Sequence, residues 1–355
     1  MCDGRYASLT ISFEGQNACA LLACNRGSKR TARLLSWHMI RASQPPAVPP
    51  ALPRLPVWAQ PDGPVANDVD AAFYAGAALG SLDGLVRSEP VWVGSWRQRL
   101  ALKCAVAAVR LAGRSEEEAA LRDAWYLRPA GGDPGPAGSI LGAWRYLASR
   151  PPAIDAGGLE QVCEWLGLRP DDSYDRLAET IEELAASDKP APLAAAAIAS
   201  HVVAGRGDAE LLAWWLADLV LARKLRWSLP VPLLAAQLFS PAFRSGDGRG
   251  RRIRPGEAAF ERAVYVAFAC GAGDGLRLAL DIARRADRLA AATPKLRAKG
   301  AGEAIRRLLD DDAVPSSLTT RNLSRFAARR LFERLQTFEA VRELSGRTSF
   351  RLYGL

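Results

Sequence analysis

The residues of this chain whose types and spacing could do chemistry are arginines near its C-terminal end. Arg325, Arg329, Arg330 and Arg334 fall on one side of a helix predicted over 325–338, when successive residues are placed roughly 100° apart. Arg330 and Arg334 are like charges one turn apart, which costs an isolated helix roughly 0.2–0.5 kcal/mol. Because an anionic partner would relieve that repulsion, the pattern favours binding to phosphate groups.

Two more arginines follow in a predicted β-hairpin. The strand-like segments 341–344 and 348–353 flank Ser345-Gly346-Arg347, which predicts a three-residue connection with Arg347 at its tip and Arg351 farther along. A helix followed by such a hairpin has the layout of a winged helix-turn-helix. In that layout the helix enters the major groove of duplex DNA, and the wing reaches phosphates or the minor groove.

The other face of the predicted helix is apolar, as packing on a core requires. Ser324 is a candidate N-cap for this helix. Phe326 falls among the arginines, where we expect it to pack the first turn against the preceding helix, with contact to a base or sugar as the alternative. The apolar face is formed by Ala327, Leu331, Leu335 and Phe338.

Composition locates the positive charge without assigning it a role. The 355 residues carry a net charge of +9, yet 41 of the 47 basic residues are arginine, which is typical of a GC-rich genome. Segments 1–60, 241–256 and 318–355 carry +5, +4 and +5, so the remainder carries −5. The basic surface is therefore expected to be local, and the large middle of the chain acidic.

The second basic segment is the glycine-rich loop 243–257, FRSGDGRGRRIRPGE. Flexible loops rich in arginine suit phosphate backbones, although a solvated surface loop has the same composition. Its candidate contacts are Arg249, Arg251, Arg252 and Arg254.

Other classes of site and location are not supported by the sequence. The six cysteines show no CxxC pair and are predicted to be free thiols in a reducing cytoplasm. No uninterrupted apolar run reaches about eighteen residues, so no membrane span is expected. We also expect no metal, no cofactor and no catalytic residue.

The predicted fold class is mainly α, with a multi-helix domain followed by a small C-terminal winged helix-turn-helix. Residues 1–44 are a poorly defined extension, consistent with a start codon assigned too far upstream, and 45–65 form a proline-rich linker. Residues 66–296 form the helical domain and 297–355 the winged-helix-like domain.

Several local features of the helical domain are predicted. Ser115 and Glu118 have the spacing of a capping box, and Asp208 is a candidate cap for a helix that is apolar nearly all round and hence central. Separate helices are predicted over 257–270 and 276–291. His201 is expected in the core or at its boundary.

Long runs of the sequence resemble the uncharacterised bacterial family of unknown function numbered 1403. They include AAFYAGAALGSLDGLVR, GDPGPAG, WSLPVPLLAAQ, TPKLRAKG and VRELSGRTSFRLYGL, and the resemblance covers roughly residues 50–355. It implies boundaries but no activity. The C-terminal end is similar to winged helices that terminate other bacterial proteins, some of the Fic type, but the Fic active-site elements are absent. Such modules usually end the recognition helix with glycine, where this chain has Glu339.

The leading hypothesis is a cytoplasmic protein, such as a transcriptional regulator, that binds duplex DNA through the C-terminal module. The helical domain would support self-association or bind a protein partner. One alternative is a scaffold in which the module packs on a partner or on the acidic middle of the same chain, and burial of the arginine face discriminates between the two. A third is an enzyme with a site near Glu118, Arg122, Asp123 and the Asp133 loop.

Overall fold

The described part of the chain is mainly α-helical, as the sequence predicts. The predicted extension 1–44 and the start of the predicted linker lie outside the described residues. From Leu52 onward the linker runs along the helices, and Leu52 and Leu55 pack against the core. The structure, a computed structural model, describes residues 52–129, 131–169, 174–246, 248–296, 298 and 300–355.

Within those residues the chain forms α-helices and three short strands. In chain order they are α1 (Asp68–Ser88), α2 (Val93–Leu111), α3 (Glu118–Tyr126), α4 (Gly135–Ser149), α5 (Ala156–Trp165), α6 (Tyr174–Ala186), α7 (Ala191–Gly205), α8 (Glu210–Lys224), α9 (Phe260–Ala292), α10 (Ala301–Asp310), β1 (Val314–Pro315), α11 (Arg325–Thr337), β2 (Arg342–Glu343) and β3 (Leu352–Gly354).

Helix α9 is one continuous helix of 33 residues, so the prediction of two helices separated at the Gly-Ala-Gly-Asp-Gly segment 271–275 is wrong. Each glycine costs a helix interior roughly 0.5–1 kcal/mol. Tertiary packing offsets that cost, because Leu233 and the Trp96 ring lie directly against the helix at these glycines. A Cβ at Gly271 would be 3.4 Å from Leu233, and one at Gly275 would be 3.6 Å from the Trp96 ring. The Trp96 indole N–H donates to the Gly275 carbonyl at 2.9 Å.

Helix α8 lies at the centre of the helical region, and its segment 212–222 is fully buried. The helix begins at Glu210, so the predicted cap at Asp208 is wrong; Asp208 instead pairs with Arg206 at 2.8 Å. The Asp218 carboxylate accepts the backbone N–H of Leu233 at 2.9 Å and that of Leu234 at 3.2 Å. It therefore holds the 232–238 segment onto α8.

Two further local predictions are wrong. Helix α3 begins at Glu118 with Glu117 at its N-cap, and Ser115 does not cap it. Glu118 instead reaches forward to Arg122 at 3.0 Å, since one turn of helix brings the two side chains together. His201 lies exposed on α7 rather than in the core.

The C-terminal elements combine two helices with a three-stranded antiparallel sheet of order β1-β3-β2. Val314 pairs with Tyr353, and Glu343 pairs with Tyr353 from the other side. The connection between β2 and β3 is longer than the predicted three residues, since β2 ends at Glu343 and β3 begins at Leu352. Contacts group these elements with the helices in one compact unit, Ala51–Leu355.

One described helix is long and apolar enough to cross a membrane by length and composition. It consists of α9 with the short 3-10 turn that follows it, together Phe260–Lys295, and 67% of its most apolar window is buried inside the fold. Because the core helix of a globular protein meets the same criterion, this is a weak indication of a membrane span.

Candidate nucleic-acid interface

Helix α11 is fixed by its N-cap and by its buried face. The Ser324 hydroxyl accepts the Ala327 backbone N–H at 3.4 Å, as predicted. The buried positions are Ala328, Leu331, Phe332 and Leu335, whereas Ala327 and Phe338 are half-buried. The apolar face is therefore rotated slightly from the predicted one, and the reason is Phe332, whose ring stacks on that of Tyr353 with centroids 5.1 Å apart.

The four helix arginines all lie exposed on the opposite face. Arg329 pairs with Glu333 at 3.0 Å within the helix, an exposed pair of the kind that contributes little. The Arg334 guanidinium lies over the Phe338 ring, 5.6 Å from its centroid. In the part of the chain that the structure describes, no ion pair joins Arg325, Arg329, Arg330 or Arg334 to the helical region.

The corner after α11 keeps a tight geometry without glycine. Glu339 has φ 52°, in the left-handed region. Its backbone N–H donates to Gln336 at 2.8 Å, and the Ala340 N–H donates to Leu335 at 3.0 Å, so the last carbonyl groups of the helix are satisfied. The glutamate thus adopts the conformation that glycine adopts more easily.

The two hairpin arginines are tied to the protein more closely than the helix arginines. Arg347 pairs with Asp123 of α3. Arg351 is half-buried; its Nε donates to the Arg347 carbonyl at 3.0 Å and lies 3.7 Å from Glu343. The structure thus brings the hairpin beside α11 but leaves its arginines partly neutralised.

A groove of about 290 Å³ lies between the first turn of α11 and the hairpin. Phe326 and Phe350 both line it and are 79% and 62% exposed. At that exposure Phe326 does not pack the first turn against the preceding helix, which was one of the two predicted roles. The groove itself was not predicted, because its walls come from three separate segments, 316–317, 325–329 and 348–353.

The surface that docks these elements on the helical region carries buried charges that the sequence patterns did not predict. Asp312 is 1% exposed and bonds to Arg99 of α2 and, at 2.7 Å, to Arg122 of α3. Burial alone would raise the pKa of Asp312, but the two guanidinium groups overcome that effect and lower it below the usual range for aspartic acid. Arg99 also donates to the Leu355 carbonyl at 3.3 Å.

The neighbouring carboxylate makes a second attachment. Asp311 accepts two hydrogen bonds from Arg145 of α4, at 2.9 and 3.1 Å, and another from the Tyr126 hydroxyl. The sequence does contain a signal for both attachments. Three consecutive aspartates lie at the C-terminal end of a helix, where the helix dipole disfavours negative charge, so cationic partners from elsewhere in the protein are expected.

The residues of the enzyme hypothesis form ion pairs and hydrogen bonds within the protein. Arg122 is held by Asp312 and Glu118, Asp123 holds Arg347, and the Asp133 side chain accepts the Gly135 backbone N–H at 2.8 Å. Among the described residues, no group of three or more His, Cys, Asp or Glu is placed to hold a metal ion.

The second basic loop is partly neutralised by its own chain. Arg251 pairs with Glu257 at 2.7 Å, and Arg252 is half-buried against Glu210 of α8. Arg249 and Arg254 are exposed. The loop is anchored from within by aromatic packing of Phe243, whose ring lies 5.0 Å from that of Trp214.

The fold and the candidate site together define a mainly α-helical protein with a small C-terminal sheet and an exposed arginine face. Residues 48–355 match the family described as Protein of unknown function (DUF1403). The chain therefore belongs to that family, as the sequence runs indicated. No curated protein gives a significant match to the sequence.

Proposed function

We propose that this protein binds duplex DNA through a C-terminal winged-helix-like module, residues 297–355. Helices α10 and α11 with the segment between them correspond to the helix-turn-helix, and the β2–β3 hairpin corresponds to the wing. The order of helix, strand, helix and hairpin supports this interpretation. Such a protein would act in the bacterial cytoplasm, where DNA is accessible, and would need no cofactor.

The observation that carries the proposal is that the acidic and basic side chains of the module lie on different surfaces. Its docking surface uses carboxylates, Asp311 and Asp312, against arginines of the helical region. The helix arginines face the other way, into solvent. In the scaffold alternative the acidic middle of the chain would cover the arginine face. The four helix arginines are instead exposed, although Arg347 of the hairpin does pair with Asp123 of that middle region.

Most of the expected contacts are to phosphate. Arginines on an exposed helix face donate to phosphate oxygens without reading sequence unless they reach a base edge. Arg347 would have to exchange Asp123 for a phosphate before it contributed, so α11 is the principal contact and the hairpin the secondary one.

The test is a fluorescence-anisotropy titration of a labelled duplex at several salt concentrations. If the four helix arginines each neutralise one phosphate, log K falls with log salt concentration with a slope of about −3.6. The double variant Arg329→Ala/Arg330→Ala removes two of them and should reduce the magnitude of that slope by about 1.8.

The matched control is Arg284→Ala, which removes an exposed arginine of α9 whose contacts in the described structure stay within that helix, to Asp281 at 3.2 Å and to the Leu280 carbonyl at 3.3 Å. It should leave affinity and slope unchanged. The proposal is wrong if no duplex binds at low salt, or if the Arg329→Ala/Arg330→Ala protein binds as the wild type does.

A second candidate function, self-association of the helical region, is favoured by an exposed apolar patch at the start of α1. Val57, Trp58, Val69 and Phe73 are 86%, 65%, 79% and 55% exposed, and the Trp58 and Phe73 rings lie 5.9 Å apart. Exposed clusters of large apolar side chains commonly mark interaction sites. Light scattering should show a dimer that dissociates in Trp58→Ser/Phe73→Ser, and a monomeric wild type would exclude this function.

A further inference from the structure

We infer that the groove between α11 and the hairpin holds an unstacked nucleobase, so that the protein prefers DNA containing an unpaired nucleotide. This inference rests on the proposed function and specifies the substrate class of the same site. It follows from the shape of the groove, from its aromatic residues and from its charge.

The groove is small and is lined by α11, the hairpin and the two serines that follow β1, Ser316 and Ser317. Its volume of about 290 Å³ is at the lower end of the roughly 300–1,000 Å³ found for small-molecule sites. It suits one ring system rather than a peptide helix. Phe326 belongs to α11 and Phe350 to the hairpin, so an aromatic residue comes from each side of the site.

Phe350 has a backbone conformation that its side chain disfavours. Its φ is 53°, in the left-handed region that bulky residues rarely adopt. Strain of this kind persists where the surroundings enforce it, and it clusters at functional sites. The ring is 62% exposed, so burial in the core does not compensate for the strain. The strained residue instead presents an aromatic face at the groove.

The polar lining of the groove suits the sugar and phosphate that accompany a base. Arg325, Arg329 and Arg351 line it, together with four serine and threonine hydroxyl groups. No acidic residue is among the described lining residues, although Glu333 and Glu343 lie 3.0 Å from Arg329 and 3.7 Å from Arg351. Positive charge beside exposed aromatic rings is the combination that binds unpaired nucleotides.

An intact duplex leaves the two phenylalanines unused. Its bases are stacked on one another, and its backbone requires only the arginines. An unpaired base offers a free π-face, and base–aromatic stacking contributes roughly 1–3 kcal/mol per base. The corresponding gain in affinity is roughly 5- to 150-fold over the same duplex without the unpaired base.

The experiment compares a short duplex with the same duplex carrying one bulged nucleotide, both titrated by anisotropy with the full chain. Wild type should bind the bulged DNA at least about fivefold more tightly. Phe326→Leu/Phe350→Leu keeps apolar side chains but removes the two exposed π-faces, because the third aromatic lining residue, Tyr353, is buried with its ring stacked on Phe332. It should bind both DNAs with the duplex affinity. With 2-aminopurine at the bulge, wild type should quench the fluorescence by stacking, and the variant should not.

The matched control is Tyr265→Leu, which changes a half-buried aromatic residue of α9 outside the groove. It should retain the preference for the bulge. Equal affinity for both DNAs, or a preference that survives in Phe326→Leu/Phe350→Leu, overturns the inference and leaves duplex binding standing. Failure to bind either DNA overturns the proposed function itself.

Discussion

Replacing Asp312 by asparagine should destabilise the protein more than the same substitution at Asp310 or Asp311, the two aspartates that precede it at the end of α10. The carboxylate is 1% exposed and is shared by Arg99 and Arg122, whose side chains are 2% and 6% exposed. Asparagine has nearly the same shape, so the substitution removes the negative charge while it preserves packing. Two guanidinium groups then remain buried beside a neutral amide.

The magnitude follows from what each arginine retains. Arg122 keeps Glu118 at 3.0 Å, whereas within the described structure Arg99 keeps only the backbone oxygens of Asp312 and Leu355, at 3.1 and 3.3 Å. One buried cation thus loses its anionic partner, which typically costs about 3–5 kcal/mol. We expect a loss of about 4 kcal/mol in the free energy of unfolding.

The assay is urea denaturation followed by circular dichroism at neutral pH, with two matched variants. Asp311→Asn removes a carboxylate that is 30% exposed and bound to Arg145, and should cost roughly 1–3 kcal/mol. Asp310→Asn changes a residue that makes no ion pair within the described structure, and should stay within roughly 0.5 kcal/mol of wild type. The predicted order of loss is Asp312, then Asp311, then Asp310.

The pH dependence gives a second readout. The folded pKa of Asp312 is lowered, so its contribution is present above the unfolded value of 3.8 and is lost as the pH falls through the folded pKa. The gap between wild type and Asp312→Asn should therefore narrow in acid. A gap below about 1 kcal/mol at neutral pH, or one that does not change in acid, would refute the assignment of this carboxylate as the principal attachment.

Three further predictions concern single substitutions. Glu339→Gly should be about 1 kcal/mol more stable than Glu339→Ala in urea denaturation, because φ is 52° and both variants lack the same side chain; equal stability would contradict this. Burial raises the pKa of Asp218 to about 7, although two backbone hydrogen bonds act in the opposite direction. The free energy of unfolding of the wild type should therefore decrease as the pH rises from about 4 to about 7, and Asp218→Asn should lack that decrease. Parallel pH profiles would contradict the shift. Asp123→Asn frees Arg347 and should raise duplex affinity roughly two- to fivefold at low salt, whereas a decrease would mean that the pair positions the hairpin.

The helices of the core were predictable because their signals are local. Helix α8 is buried over 212–222, as its nearly all-round apolar composition indicated. Helix α9 was not predictable as one helix. Gly271 and Gly275 indicate a break until Leu233 and Trp96 are known to pack against them, and those contacts join residues far apart in sequence.

The candidate site, like the fold, was predictable only in part from the sequence. The arginine face of α11 follows from helical periodicity, and its exposure agrees with the leading hypothesis. The groove beside it does not follow, because it depends on how the hairpin folds back toward α11. Asp312 was also missed, since nothing in its own segment identifies Arg99 and Arg122 as partners.

Helix α3 links the buried attachment to the exposed hairpin. Successive residues of this helix serve both, since Arg122 binds the buried Asp312 and Asp123 binds Arg347 of the hairpin. A shift of α3 would therefore change the docking of the module and the availability of a hairpin arginine together. Asp123 is the only partner of Arg347 in the described structure that belongs to the helical region, so a ligand or partner that moved α3 would act directly on the candidate DNA-binding surface.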